Sequence, residues 1–123
     1  MSDMNPDSIK IELNGEEFEL SFNINVIDTL QDRFDCTLQD LIEQFDNKRK
    51  VIKVVKGILT VMINDSINHS NFVNKSNKPL KTEEEIGYML TFNNLYNVSN
   101  ALLDGIINSL PKKSEIDDTP SRK

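Results

Sequence analysis

Apolar and polar residues alternate on both sides of Asn14-Gly15. Ile9, Ile11 and Leu13 alternate with Lys10 and Glu12; Phe18, Leu20 and Phe22 alternate with Glu17, Glu19 and Ser21. A period of two flanking Asn-Gly predicts a β-hairpin with a two-residue turn. Such a turn sets Ile11 opposite Phe18 and Ile9 opposite Leu20, so the apolar side chains share one face. A lone two-stranded hairpin is marginal. This one must lie on helices or join a sheet in a neighbouring molecule.

The period then lengthens. Val26, Ile27, Leu30 and Phe34 follow helical spacing until Asp35-Cys36 interrupts it. Thr37 can cap a second helix striped by Leu38, Leu41, Ile42 and Phe45, with Asp40 suited to its positive end. From Lys48 to about Asn68 the pattern predicts a long central helix. Val51, Val55, Ile58 and Met62 mark its apolar arc, and Arg49, Lys53, Lys56, Thr60 and Asn64 the opposite side. The β-branched pairs Val51-Ile52 and Val54-Val55 also permit a strand, but length and a spacing of three to four favour helix. His69 to Lys81 is Asn- and Ser-rich and reads as a loop.

Thr82-Glu83-Glu84-Glu85 has the capping-box form and precedes a short helix with Ile86, Met89 and Leu90 on its apolar side. A final helix carries Phe92, Leu95, Tyr96, Ser99, Leu102, Leu103, Ile106, Ile107 and Leu110 on the stripe expected to be buried. Asn93, Asn97, Asn100, Asp104 and Asn108 form its polar stripe, and Pro111 ends it. Gly57 and Gly105 fall inside predicted helices, where each costs about 1 kcal/mol relative to Ala. Close packing or a bend would account for them.

The expected fold is α+β, mainly α. It has a β-hairpin over 8–22 and a bundle of about four to five helices over 25–110, in one domain spanning 1–110. Residues 111–123 contain one large apolar side chain, Ile116, and are expected to form a flexible, disordered tail. The chain of 123 residues has length for one domain. Its single Cys excludes an internal disulfide framework and a Cys-rich zinc site. Met1-Ser2-Asp3-Met4-Asn5-Pro6 lacks the basic and apolar regions of a secretory leader, and no apolar run is long enough to span a membrane. The expected location is cytoplasmic.

A net charge of −6 hides an asymmetry. Residues 1–47 carry two basic and twelve acidic groups, residues 48–81 eight basic and one acidic, and residues 82–123 four basic and seven acidic. Such a chain can pair one copy's acidic face with another's basic face, while its acidic remainder repels nucleic acid. Arg49, Lys53 and Lys56 are the candidate self-association residues; if they meet the acidic N-terminal part of another copy, assembly should weaken with salt. The cluster over 48–56 also permits a nucleic-acid reading, although Lys and Arg on a helix ordinarily stay solvated.

Catalytic signatures are absent. There is no glycine-rich phosphate loop, no HExxH and no GxSxG. His69 is the sole His and reads as a plain loop residue, with no second ligand for a usual metal site. Cys36 lacks a neighbouring base and reads as a small packed side chain. Asp40, Glu43 and Glu83 to Glu85 read as solvated faces and favourable charges at helix starts. No cofactor, metal or catalytic residue is expected, and these residues give an enzyme reading little support.

The segment Leu30-Gln31-Asp32-Arg33-Phe34-Asp35-Cys36-Thr37-Leu38-Gln39-Asp40-Leu41, with Thr82-Glu83-Glu84-Glu85-Ile86-Gly87, resembles the small tail assembly chaperones of long-tailed bacteriophages (siphophages) and prophages. In that family a strand pair leads to a Leu-x-(acid)-x-(aromatic)-x-x-(Ser/Thr)-Leu segment, a helical core and a capped helix. The resemblance covers about residues 8–110. It implies a protein that binds the long, apolar, helical tape-measure protein and helps recruit tail tube subunits, often with a frameshifted long form. A chaperone for a helical partner needs an apolar groove and a charged exterior. Phe18, Phe22, Phe92 and Tyr96 are the candidate partner-binding anchors, on the hairpin's apolar face and the final helix. A small cytoplasmic adaptor or regulator, such as an anti-repressor-like phage protein, is the alternative.

Overall fold

The computed structural model describes residues 8–110. Along the chain run β1 (Ser8–Leu13), β2 (Glu16–Ser21), α1 (Ile24–Phe34), α2 (Leu38–Gln44), α3 (Val51–Asn74), α4 (Glu83–Met89) and α5 (Phe92–Ser109). A hairpin followed by five helices is the mainly helical α+β architecture expected.

Asn14 and Gly15 both take left-handed backbone angles, with φ of 54° and 83°. This is the primed turn whose twist matches the strands. The antiparallel register pairs Ile11 with Phe18 and Ile9 with Leu20. Ile11, Leu13 and Leu20 are buried, because β1 packs on α5 and β2 on α3. The hairpin therefore uses its own helices to cover its apolar face.

Local capping fixes where the helices begin. Asn23 Oδ1 accepts from the Val26 amide at 2.9 Å, and Asn23 Nδ2 donates to Asp65 Oδ2 at 2.8 Å, tying the start of α1 to α3. Thr37 with Asp40, and Thr82 with Glu85, form reciprocal capping boxes. A third box, Thr91 with Asn94, opens α5 and has Asn where the usual pattern has Glu or Gln.

The central helix differs from its predicted span at both ends. It begins at Val51 rather than Lys48, because Asn47 Oδ1 accepts from the Arg49 and Lys50 amides and holds these residues in a turn. It continues to Asn74, so His69 lies on helix rather than in a loop. The Asn residues that read as loop formers instead strap the following segment to the helix exterior. The Asn71 side chain bonds the Lys78 carbonyl and amide, and Asn64 bonds both backbone groups of Lys81 at 2.8 Å. The strand alternative for 51–55 is excluded. Val54, Val55, Ile58, Leu59, Met62 and Ile63 of α3 are all buried, and this helix packs against β2, α1, α2, α4 and α5.

Gly57 and Gly105 each lie under an aromatic ring. A Cβ at Gly57 would stand 2.6 Å from Phe34 Cζ, and one at Gly105 would stand 2.6 Å from Phe22 Cε2 and 3.1 Å from Ile9 Cγ2. Both helices run through these positions, and the rings packed there account for the missing side chains. This contact also orients α5. Its buried positions are Val98, Leu102, Gly105 and Ile106, which at 3.6 residues per turn centres the inner face about 85° away from the predicted stripe. Phe92, Tyr96 and Ile107, expected inside, are exposed. At the end of α5, Leu110 is extended (φ −70°, ψ 145°), as the residue before a proline favours. The expected tail, 111–123, lies outside the described residues.

Candidate functional site

The turn from α4 to α5 creates an apolar concavity. Leu90 is extended, and Thr91 caps the next helix immediately. No loop is left to cover Phe92, which is 88% exposed. Beside it, α3 contributes Ile52 and Lys56, α4 contributes Gly87, and Leu90 and Leu95 complete a cleft of about 310 Å³. Gly87 has no side chain to oppose the Lys56 stem; a Cβ there would meet Lys56 Cδ at 3.3 Å. The aliphatic part of Lys56 thus lies along the cleft.

Phe92, Tyr96 and Ile107 make an outward apolar stripe on α5, with Tyr96 73% exposed. Tyr88 of α4 is also exposed, its hydroxyl 3.3 Å from Glu84 Oε2. Ile52 is 45% exposed on the first turn of α3. That turn has no acidic residue and no side-chain cap. Lys48, Arg49, Lys50 and Lys53 are exposed around it, giving the cleft a positive flank.

The four candidate anchors separate into two groups. Phe22 is only 2% exposed and rests on Gly105; it is a core side chain, contrary to its assignment as an anchor. Phe18 is half-buried and packs against the same core. The hairpin's apolar face is therefore closed, which also corrects its proposed share in a groove. Phe92 and Tyr96 remain accessible. Lys56, singled out for self-association, lines the same cleft as Phe92, whereas Arg49 and Lys53 are exposed. Ile52 and Leu90 went unrecognised as cleft residues. Ile52 merges with the buried arc in a periodicity plot, and Leu90 is placed by the abrupt α4–α5 turn.

Most of the carboxylates considered for chemistry have structural partners. Asp40 and Glu85 complete capping boxes, and Glu83 pairs with Arg33 to join α1 and α4. Arg33 also lies over the Phe34 ring at 5.8 Å. Cys36 is half-buried between α1 and α2, and burial, followed by Asp40 and Asp35, raises its thiol above the ordinary value of 9.0. Among the described residues, no group of three or more His, Cys, Asp or Glu is placed to hold a metal ion. No helix among them is long and apolar enough to cross a membrane.

A second, polar cleft of about 320 Å³ runs between β1 and α5, lined by Lys10, Glu12, Asn14, Asn93, Asn97 and Ala101 among others. It shares no residue with the Phe92 cleft. Comparison with family models, curated proteins and solved structures gives no match to this chain.

Proposed function

We propose that this chain is a non-enzymatic, protein-binding chaperone of the phage tail-assembly type, which holds an apolar helical segment of the tape-measure protein. The observation that carries this reading is the open apolar cleft at Phe92, extended by Tyr96 along α5. A helix presenting apolar residues every three to four positions can lay them into such a groove. Exposed aromatics in a concave setting are suited to anchoring it. The basic flank from Lys48 to Lys56 favours a partner with acidic residues beside its apolar stripe. Recruitment of tail tube subunits, and action in the host-cell cytoplasm, belong to the same proposal through the resemblance of residues 30–41 and 82–87.

The test is co-expression with the tape-measure protein encoded by the same phage or prophage genome. Stable co-purification, lost in Phe92→Ala with the fold intact, is the expected result. A folded wild-type chain that leaves that protein unbound contradicts the proposal. Steeply salt-dependent binding to DNA instead would favour the nucleic-acid reading of residues 48–56.

A further inference from the structure

A two-stranded sheet leaves one edge of each strand unpaired. The pair flanking the two-residue turn, Leu13 with Glu16, exchanges backbone hydrogen bonds, and alternate pairs do so beyond it. Ser8, Lys10 and Glu12 therefore turn their backbone groups away from β2. Glu17, Glu19 and Ser21 do the same on the other edge. Among the described residues, no backbone hydrogen bond from a neighbouring element reaches the outward groups of β1. The polar cleft opens alongside them, with Lys10, Ile11 and Glu12 on one wall and Asn93, Asn97 and Ala101 of α5 on the other.

The two edges differ in charge. Glu17 and Glu19 are exposed on β2, and this pair repels another copy of itself. The β1 edge has Lys10 and Glu12, of opposite sign. Consider a second β1 laid antiparallel so that Ile11 faces its own counterpart. Lys10 then faces Glu12 of the second copy, twice by symmetry, and Ile9 faces Leu13. A slip of one residue would turn the apolar face outward. A slip of two would oppose Lys10 to Lys10 or Glu12 to Glu12, which is destabilising. Within one chain Glu12 already stands opposite Glu17. A lysine arriving on its other side offsets that repulsion.

We propose that a second copy of this chain adds to the β1 edge in this register, making a two-fold symmetric sheet of order β2-β1-β1-β2. Isologous pairing closes on itself, and the glutamates on both outer edges prevent further growth. The interface uses no residue of the Phe92 cleft, so its failure would leave the partner-binding reading intact.

The experiment is sedimentation of the full chain across a wide concentration range, with amide exchange measured at both ends of that range. A monomer–dimer equilibrium is expected. The Lys10 and Glu12 amides should slow about tenfold or more as the dimer fills, while those of Glu17 and Glu19 stay unchanged. Lys10→Glu and Glu12→Lys should each weaken the dimer about tenfold or more, since each converts two attractive pairs into repulsive ones. The double variant, in which the charges change places, should restore it. Circular dichroism checks that each variant folds, and the exchange measurement on the unaltered chain needs no variant. A monomer at every concentration overturns the proposal. So does a dimer with unprotected Lys10 and Glu12 amides, or edge protection that appears only when a different protein is added.

Discussion

Phe22 and Phe92 lie beside the same helix and live in opposite surroundings. Phe22 is pressed against the α5 backbone at Gly105, within a core closed by the hairpin. Phe92 begins α5 and projects into a cleft that none of the described residues covers. One aromatic residue is spent on folding and the other is available for recognition. What separates them is the neighbour: a glycine that admits the ring at one end of α5, and an abrupt helix–helix turn that strands it at the other.

Phe22→Ala should have the largest effect. Deleting a fully buried ring costs about 3–5 kcal/mol, so denaturant unfolding should show a marginal or unfolded chain. Gly105→Ala attacks the same contact from the other side. Its methyl would meet Phe22 and Ile9 together, and overpacking of this kind costs about 1–3 kcal/mol. Gly57→Ala should cost less, because Phe34 is only half-buried and its ring can shift outward. A larger loss at Gly57 than at Gly105 would mean that the hairpin seam is not the tighter of the two.

Cys36 gives a smaller effect with a definite sign. Its thiol pKa is raised on folding, first by burial and then by Asp40 and Asp35. The folded state therefore favours the protonated thiol. The stability this contributes is complete below the unfolded thiol's pKa and is lost as pH rises through the folded one. Alkylation at neutral pH should be slower in the folded chain than in the denatured one. Unfolding scans should show a loss at alkaline pH that Cys36→Ala lacks. The smallest effect on stability is expected at Phe92: truncating an exposed side chain should change it by less than about 0.5 kcal/mol.

Much of this architecture could be read from the chain. The Asn-Gly hairpin and its register, the Thr37 and Thr82 caps and the burial of the α3 arc all follow from local chemistry. What the pattern could not resolve is direction. α5 has two adjacent apolar stripes, one through Val98, Leu102 and Ile106 and one through Phe92, Tyr96 and Ile107. Periodicity merges them, and only the hairpin seated at Gly105 decides which is inward. The polar end of α3 misled for a similar reason, since Asn64 and Asn71 act as side-chain straps across the helix rather than as helix breakers. The cleft joins residues far apart in sequence, Ile52 and Lys56 with Leu90 and Phe92, and so had no local signature.

The most direct test compares tape-measure binding by the unaltered chain and by Phe92→Ala at matched, verified folding. The proposed role predicts at least about a tenfold loss of affinity with an unchanged unfolding midpoint. Equal affinity in the two proteins, or a loss accompanied by an equal loss of stability, would contradict the claim that this cleft is where the partner is held.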